Sequence, residues 1–324
     1  MPSRLPQYLR YHYKSQEIGD IDPSYEMLLY ICKRFELNVE QRYWLAFLYA
    51  MTYCGASTFY VYNEFPDFEN VDLNRMQRWW DHEGREKILC QTDRRWVRSK
   101  NLFVPAVASY QKWIGGLPQH EAFLRATRGL DAPEARYDVV YSRAKDLHSF
   151  GQFTLFLYLE ALHTITPMNF APTDLNLDIA TSCRNGLCYA YGLDQWVTEA
   201  DETTPADGRN QIAESWADLR DKLAGPRTST VWEIETTLCA YKKFMYGKRY
   251  IGSYIDRQAI ETAKLTTNVS RGVCWDVLWQ FRKETYSSEH LAENTHDIQK
   301  MVKSGLSSKW KLNRQANTWT YLEQ

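Results

Sequence analysis

Apolar residues recur at three- and four-residue spacing along most of the 324-residue chain, the period of a helix with one buried face. "PSYEMLLYICKRFEL" sets Met27, Leu28, Ile31 and Phe35 on such a face, behind Ser24 at a position suited to an N-cap. "NVEQRYWLAFLYAMTYCG" opens on Asn38 with Gln41 three residues on, the spacing of a capping box, and is expected to stop near Gly55. The same period predicts helices over "LNRMQRWWDHEGREKILCQ", "LFVPAVASYQKWIGG", "APEARYDVVYSRAKDLHSF", "GQFTLFLYLEAL", "NQIAESWADLRDKLAG" and "TSTVWEIETTLCAYKKFMYG". Residues 198–209, "TEADETTPADGR", are polar, acidic and broken by Pro and Gly, which predicts an exposed loop. Strand-like alternation is scarce, so the expected fold class is all-α, with a short ribbon around "TWTYLEQ" as the exception to watch. No fixed-period repeat is visible.

Composition narrows this picture. The length suits one large two-lobed domain or two small ones; taken as a single catalytic domain, its lobes are drawn as 1–135 and 136–285, followed by a basic, polar tail over 286–324. Lys plus Arg number 39 against 40 Asp plus Glu, which argues against a protein coated in positive charge and leaves room for a local basic surface. Seven cysteines, odd in number and without zinc-like spacing, read as reduced thiols in a cytosolic compartment. No apolar run is long enough to span a bilayer, so no membrane partner is expected. Aromatics make up 15% of the chain, with 12 Trp and 22 Tyr, enough both to fill a core and to stack on flat ligands. A GK[ST] phosphate loop, GxGxxG, HExxH, GxSxG and a four-cysteine cluster pattern are all missing, so the chain is not expected to use ATP itself.

The corner in "AKDLHSFGQFTLFLYLEAL" (144–162) carries a sharper reading. A first helix ending at Leu147, a glycine turn and an apolar second helix have the shape of a helix–hairpin–helix. In that element the free N–H groups of the turn and of the second helix's first residues face a DNA phosphate. Phe150, Gly151 and Gln152 would make this grip, with Gly151 supplying close approach or a positive φ. An ordinary helical hairpin with a glycine cap has the same spacing. In helix–hairpin–helix DNA glycosylases an aspartate follows about two dozen residues later, opening the next helix; Asp174 and Asp178 stand at that distance, where they could equally be N-caps.

Five blocks extend the likeness: "STFYVYNEF" (57–65), "FGQFTLFLYLEAL", "SCRNGLCYAYGLDQW" (182–196), "TTLCAYKKF" (236–244) and "GKRYIGSYIDRQ" (247–258). They resemble, in family order and over about residues 40–285, the bacteriophage α-glutamyl/putrescinyl thymine pyrophosphorylases, also called amino acid:DNA transferases. The resemblance implies a helix–hairpin–helix, glycosylase-like fold. It also implies an activity: an amine, either an amino acid or a polyamine such as putrescine, displaces pyrophosphate from an activated 5-hydroxymethyluracil in DNA. An upstream hydroxymethyluracil DNA kinase and the host cell cytoplasm as location follow from the same resemblance.

That chemistry asks for specific residues. A flipped or single-stranded base must be held, the leaving group neutralised, and the amine deprotonated. The carboxylates inside or beside the blocks are Asp178, Asp174, Asp256 and Glu235. For pyrophosphate the candidates are Arg184, Asn185, Lys242, Arg249 and Arg257, the arginines being able to chelate two oxygens at once. A solvated basic face competes with this for the neighbouring lysines. Tyr60 and Asn63 could stack on and read a pyrimidine, or be a buried aromatic beside a turn-forming amide. Arg94, Arg95 and Arg98, interleaved with tryptophans, suit a DNA groove unless nearby acids neutralise them. No cofactor or metal is required by the sequence, and whether Mg²⁺ accompanies the pyrophosphate stays open. The alternatives are a monofunctional glycosylase, since no Lys lies between Lys145 and Lys222, and a non-catalytic reader of modified bases.

Overall fold

The computed structural model describes residues 3–90, 102–178, 180–198, 204–224, 228–245, 249–269, 272–286, 310–313 and 318–321. The fold is all-α, and among the described residues one short ribbon accompanies the helices. In order the helices are α1 (Leu5–Glu17), α2 (Pro23–Arg34), α3 (Val39–Thr52), α4 (Gly55–Glu64) and α5 (Leu73–Trp79). Then follow α6 (Phe103–Ile114), α7 (Gln119–Ala126), α8 (Pro133–Ala144), α9 (Gln152–Ile165) and α10 (Thr181–Tyr191). The last four are α11 (Ala206–Leu223), α12 (Val231–Met245), α13 (Ser253–Asn268) and α14 (Asp276–Thr285). The ribbon pairs β1 (Trp310–Asn313) with β2 (Thr318–Tyr321) antiparallel, Trp310 opposite Tyr321, so part of the expected tail is strand.

Local rules explain several boundaries. Asn38 Oδ1 accepts from Gln41 N–H at 3.0 Å and Gln41 Oε1 accepts from Asn38 N–H at 3.0 Å, the reciprocal box its spacing predicts. The helix then ends at Tyr53 in the left-handed region (φ 46°), and Gly55 starts the next helix rather than closing this one. Helix α2 begins at Pro23, one residue before the expected cap Ser24, because proline's fixed φ suits the first helical position. Helix α5 runs on through a π-turn, Trp80–Gly84, and a last turn, Arg85–Lys87. Helix α11 already starts at Ala206, so the predicted loop 198–209 is shorter than its polarity suggests.

The chain forms two compact units that interleave along the sequence, in contrast to the contiguous lobes 1–135 and 136–285 expected above. One comprises residues 1–23, 174–257 and 286–324; the other comprises 24–173 and 258–285. In the second unit α3 is the central helix, with every residue from Tyr43 to Thr52 buried. Phe47 stacks on Tyr110 (4.1 Å between centroids) and on Phe150 (5.4 Å), which is where much of the aromatic content goes.

In the first unit α1, α10, α11 and α12 surround Tyr8, Tyr11, Cys183, Leu187, Leu219, Leu238 and Tyr241, all buried. Helices α10 and α12 touch backbone to backbone at Gly186: a Cβ there would sit 2.0 Å from the Leu238 carbonyl oxygen. Helix α1 is tied to α12 by polar groups. Its Tyr8 hydroxyl lies 2.9 Å from the Thr237 hydroxyl, and His12 Nδ1 lies 2.8 Å from the same oxygen. Burial pushes His12 down to about 4, so it works here as a neutral ring.

Candidate functional site

The first unit gathers a set of charged and polar side chains around the N-terminal half of α12. Glu235 and Cys239 lie one turn apart on this helix and so share a face, both half-buried. Between them in sequence, Thr236 donates its hydroxyl to Asp22 Oδ2 at 2.5 Å and so fixes the Asp22 carboxylate against α12. Asp22 is buried and holds φ 44°, a left-handed conformation that costs a non-glycine residue energy.

Asp20, two residues earlier, is 2% exposed and collects three backbone N–H groups. Those of Gly252 (2.7 Å), Tyr254 (2.9 Å) and Ile255 (3.0 Å) all donate to it. It thereby satisfies the otherwise unpaired donors at the start of α13 from a distance in sequence of more than 230 residues. This bond set seats the 249–254 segment in the same unit. Arg249 lies with its guanidinium carbon 3.9 Å from the centroid of the Tyr254 ring, a cation–π contact. Among the described residues, Arg249 makes no ion pair with a carboxylate.

The electrostatics follow from this crowding. Burial, reinforced by the negative charge of Asp22, raises Glu235 to about 8, while the Cys239 thiol opposes the shift by hydrogen bonding. Cys239 itself is pushed up by burial and by Glu235, and so stays a thiol. Arg249 is held cationic, because the nearby tyrosines and Asp20 outweigh its desolvation. The cluster thus contains a neutral carboxyl group, two further buried carboxyl groups, and one guanidinium lying on an aromatic face.

The other sequence candidates distribute as follows. Lys242 is half-buried on α12, and Arg257 is half-buried near the start of α13. The Asp256 carboxylate accepts the Tyr250 hydroxyl at 2.5 Å, a partner close in sequence. Arg184 is 1% exposed and spends its guanidinium on the carbonyls of Leu177 (3.2 Å) and Asp178 (2.8 Å) and on the Thr198 hydroxyl. Asn185 is fully buried and makes a two-way bridge to Thr198, giving Nδ2–H to its carbonyl (2.7 Å) and taking its N–H (3.2 Å). These two residues therefore clamp the chain on either side of α10, through the carbonyls of Leu177, Asp178 and Thr198 and the Thr198 hydroxyl.

Asp174 and Asp178 are exposed and sit in the loop before α10, whose cap position is Ala180. Neither opens the helix as expected: Asp174 Oδ1 instead accepts the N–H of Asn176 at 3.1 Å, a local turn.

In the second unit, Tyr60 is 3% exposed. Its ring makes tilted contacts with Trp79 (5.6 Å between centroids) and Trp275 (6.4 Å), and its hydroxyl is given to Glu83 at 2.9 Å, so it is packed into the core. Asn63 returns its amide to the Phe59 carbonyl one turn back, at 2.7 Å. At the corner Phe150 is core, stacked on Phe47 and edge-on to Tyr158, not a DNA-facing ring. Helix α8 ends at Ala144, three residues before the expected Leu147. Gly151 is the exposed N-cap of α9 with ordinary extended angles (φ −78°, ψ 175°); the positive φ of this turn belongs to Ser149 (70°). A Cβ on Gly151 would meet nothing within 4 Å, so neither strain nor crowding explains the glycine. Gln152 follows, half-buried, and no side chain caps α9. Arg94, Arg95 and Arg98 lie outside the described residues.

The residues that sequence reasoning passed over are Asp20, Asp22 and Tyr254. The available signal was "GDIDP": two carboxylates spaced by one residue, directly before a proline that starts a helix.

The described fold is helical, and its first unit carries a cluster of buried and half-buried carboxyl groups together with the Arg249 guanidinium. A family model described as amino acid:DNA transferase matches residues 16–249, a span that contains Asp20, Asp22, Glu235 and Arg249. The chain belongs to the amino acid:DNA transferase family. It is also similar to a serinyltransferase of Salmonella phage ViI, with 28% identity over 170 residues, half of this chain and 40% of that protein. The matched stretch thus spans well under two thirds of that relative's length. No solved structure matches.

Proposed function

We propose that this protein transfers an amino acid, through its amino group, onto an activated 5-hydroxymethyluracil in DNA, with pyrophosphate leaving. The observation that carries this reading is the Asp22–Glu235–Arg249 cluster, which lies inside the span matched by the family model. In the reaction the amine lone pair forms the new C–N bond at the 5-methylene carbon. The C–O bond to pyrophosphate breaks, and its electron pair leaves with the pyrophosphate. The amine must shed a proton before it attacks, and Asp22, beside the neutral Glu235 carboxyl, is the acceptor the cluster offers.

The base has to leave the duplex or arrive single-stranded for a side-chain cluster to enclose it. The uncapped N-terminus of α9, with open space above Gly151, supports a phosphate grip by the N–H groups of Gly151 and Gln152. Lys242 and Arg257 would neutralise the departing pyrophosphate, and a Mg²⁺ ion bound with it would add to this. A hydroxymethyluracil DNA kinase acting earlier would supply the activated base.

The test is mass spectrometry of nucleosides digested from pyrophosphorylated hydroxymethyluracil DNA after incubation with this protein and a pool of amino acids and putrescine. An amino-acid adduct with pyrophosphate released supports the reading. An abasic site would replace it with a glycosylase, and DNA that is bound but unchanged would leave a reader of modified bases.

A further inference from the structure

We propose that Asp22 and Glu235 receive the ammonium end of the incoming amino acid while Arg249, seated on Tyr254, receives its α-carboxylate. This rests on the transferase reading and assigns the residues that choose its nucleophile.

Three observations support the assignment. First, the two ends are built into one neighbourhood by bonds that cross the first unit. The Thr236 hydroxyl fixes Asp22 next to Glu235, and Asp20, two residues away, fixes the segment that bears Arg249 and Tyr254. Second, Arg249 is a half-buried cation whose charge is met by an aromatic face and, among the described residues, by no carboxylate in ion-pair contact. A guanidinium so placed presents its planar fork to a carboxylate that arrives with the ligand. Third, the sign of the surroundings discriminates between anions. Pyrophosphate carries several negative charges and would be pressed against Asp22, whereas a zwitterion brings its positive end to that carboxylate and its single negative end to Arg249. A diamine satisfies the carboxylates but sets its second ammonium against Arg249. The same arrangement accounts for proton transfer: Asp22, which binds the ammonium by hydrogen bonding, takes a proton from it and frees the lone pair before the C–N bond forms, so binding and activation use one contact.

The experiment is a competition. Pyrophosphorylated hydroxymethyluracil DNA is incubated with equimolar serine and serine methyl ester, and in parallel with glycine and glutamate beside their esters; the adduct ratio is read by mass spectrometry. Because the ratio is internal, it does not depend on how much of a variant is folded. The wild-type protein is expected to favour the free acids by tenfold or more. Arg249→Met should erase that preference, Arg249→Lys should restore part of it, and Tyr254→Phe, which keeps the ring, should retain it.

An unchanged acid-to-ester ratio in Arg249→Met, together with weakened product inhibition by inorganic pyrophosphate, would overturn the assignment and return Arg249 to the leaving group. Absence of any adduct with the wild-type protein would sink the transferase reading instead. The same acids and esters titrated calorimetrically into the protein alone then decide the assignment. Loss of acid-over-ester binding in Arg249→Met upholds it, and equal binding of acid and ester by the wild type refutes it.

Discussion

At the scale of single residues, burial decides what a charged side chain is for. Glu235 and Arg184 both come from matched blocks or their edges, yet one is half-buried among other carboxyl groups and the other is sealed against backbone carbonyls. Glu235 gives a prediction with a definite sign. Its carboxyl is held protonated up to about 8 in the folded protein, whereas in the unfolded chain it ionises near its ordinary value of 4.5. Between those values only the unfolded state releases the proton, so stability falls as pH rises through that window and levels off above it, by about 1.4 kcal/mol per unit at most. Glu235→Gln should remove this slope, read as the difference between wild-type and variant denaturation midpoints from pH 4 to 9. A variant that parallels the wild type over the whole range would contradict the buried, neutral carboxyl. Arg184→Met should instead cost about 2–4 kcal/mol at all these pH values, because it strips hydrogen bonds from buried carbonyls. Chemical denaturation measures that loss. The sequence showed Arg184 as an arginine beside candidate aspartates; only the tertiary structure shows that its two terminal nitrogens bond to Leu177, Asp178 and Thr198.

Elements obey local rules where their ends are solvated and depart from them where another helix intrudes. The Asn38 capping box was legible because it needs only three neighbouring residues. The cap of α13 was not, since Asp20 reaches it from the far end of the chain. Glycine shows the same division. Gly151 drew attention in the sequence by standing at a corner, yet its angles are ordinary and its surroundings open; Gly186, unmarked inside a helix, is the one that lets α10 and α12 meet. Gly186→Ala should therefore destabilise by about 3 kcal/mol or more, since backbone cannot yield as a side-chain tip does. Gly151→Ala should stay within about 1 kcal/mol, the cost of a poorer N-cap. Thermal melts of the two variants side by side check this, and equal losses would mean that the α10–α12 contact is looser than described. Should Gly151→Ala also leave DNA affinity intact, the α9 grip would still stand, because the proposed donors are backbone N–H groups.

At the scale of the whole molecule, the two units exchange chain segments, and the first 23 residues belong with 174–257. Removing them would take away Tyr8, Tyr11 and His12, each nearly inaccessible to solvent and bonded or stacked onto α12, together with Asp20 and Asp22. A chain starting at Ser24 is expected to lose cooperative unfolding of that unit and all transfer activity. Limited proteolysis should then cut first within 174–257, and a protease-resistant 174–257 in such a chain would refute the interleaved arrangement. What the sequence by itself determined is the helical class, most helix cores, and the family, because these are written in short-range periodicity and in contiguous blocks of residues. Glu235 and Arg249 were among its candidates for the same reason. Only the tertiary structure joined them to Asp22 and Tyr254 and drew Arg184, Asn185, Tyr60 and Phe150 into packing. Desolvation and hydrogen-bond partnership depend on what lies across space, and residues more than 200 positions apart leave no mark of their contact in the local pattern.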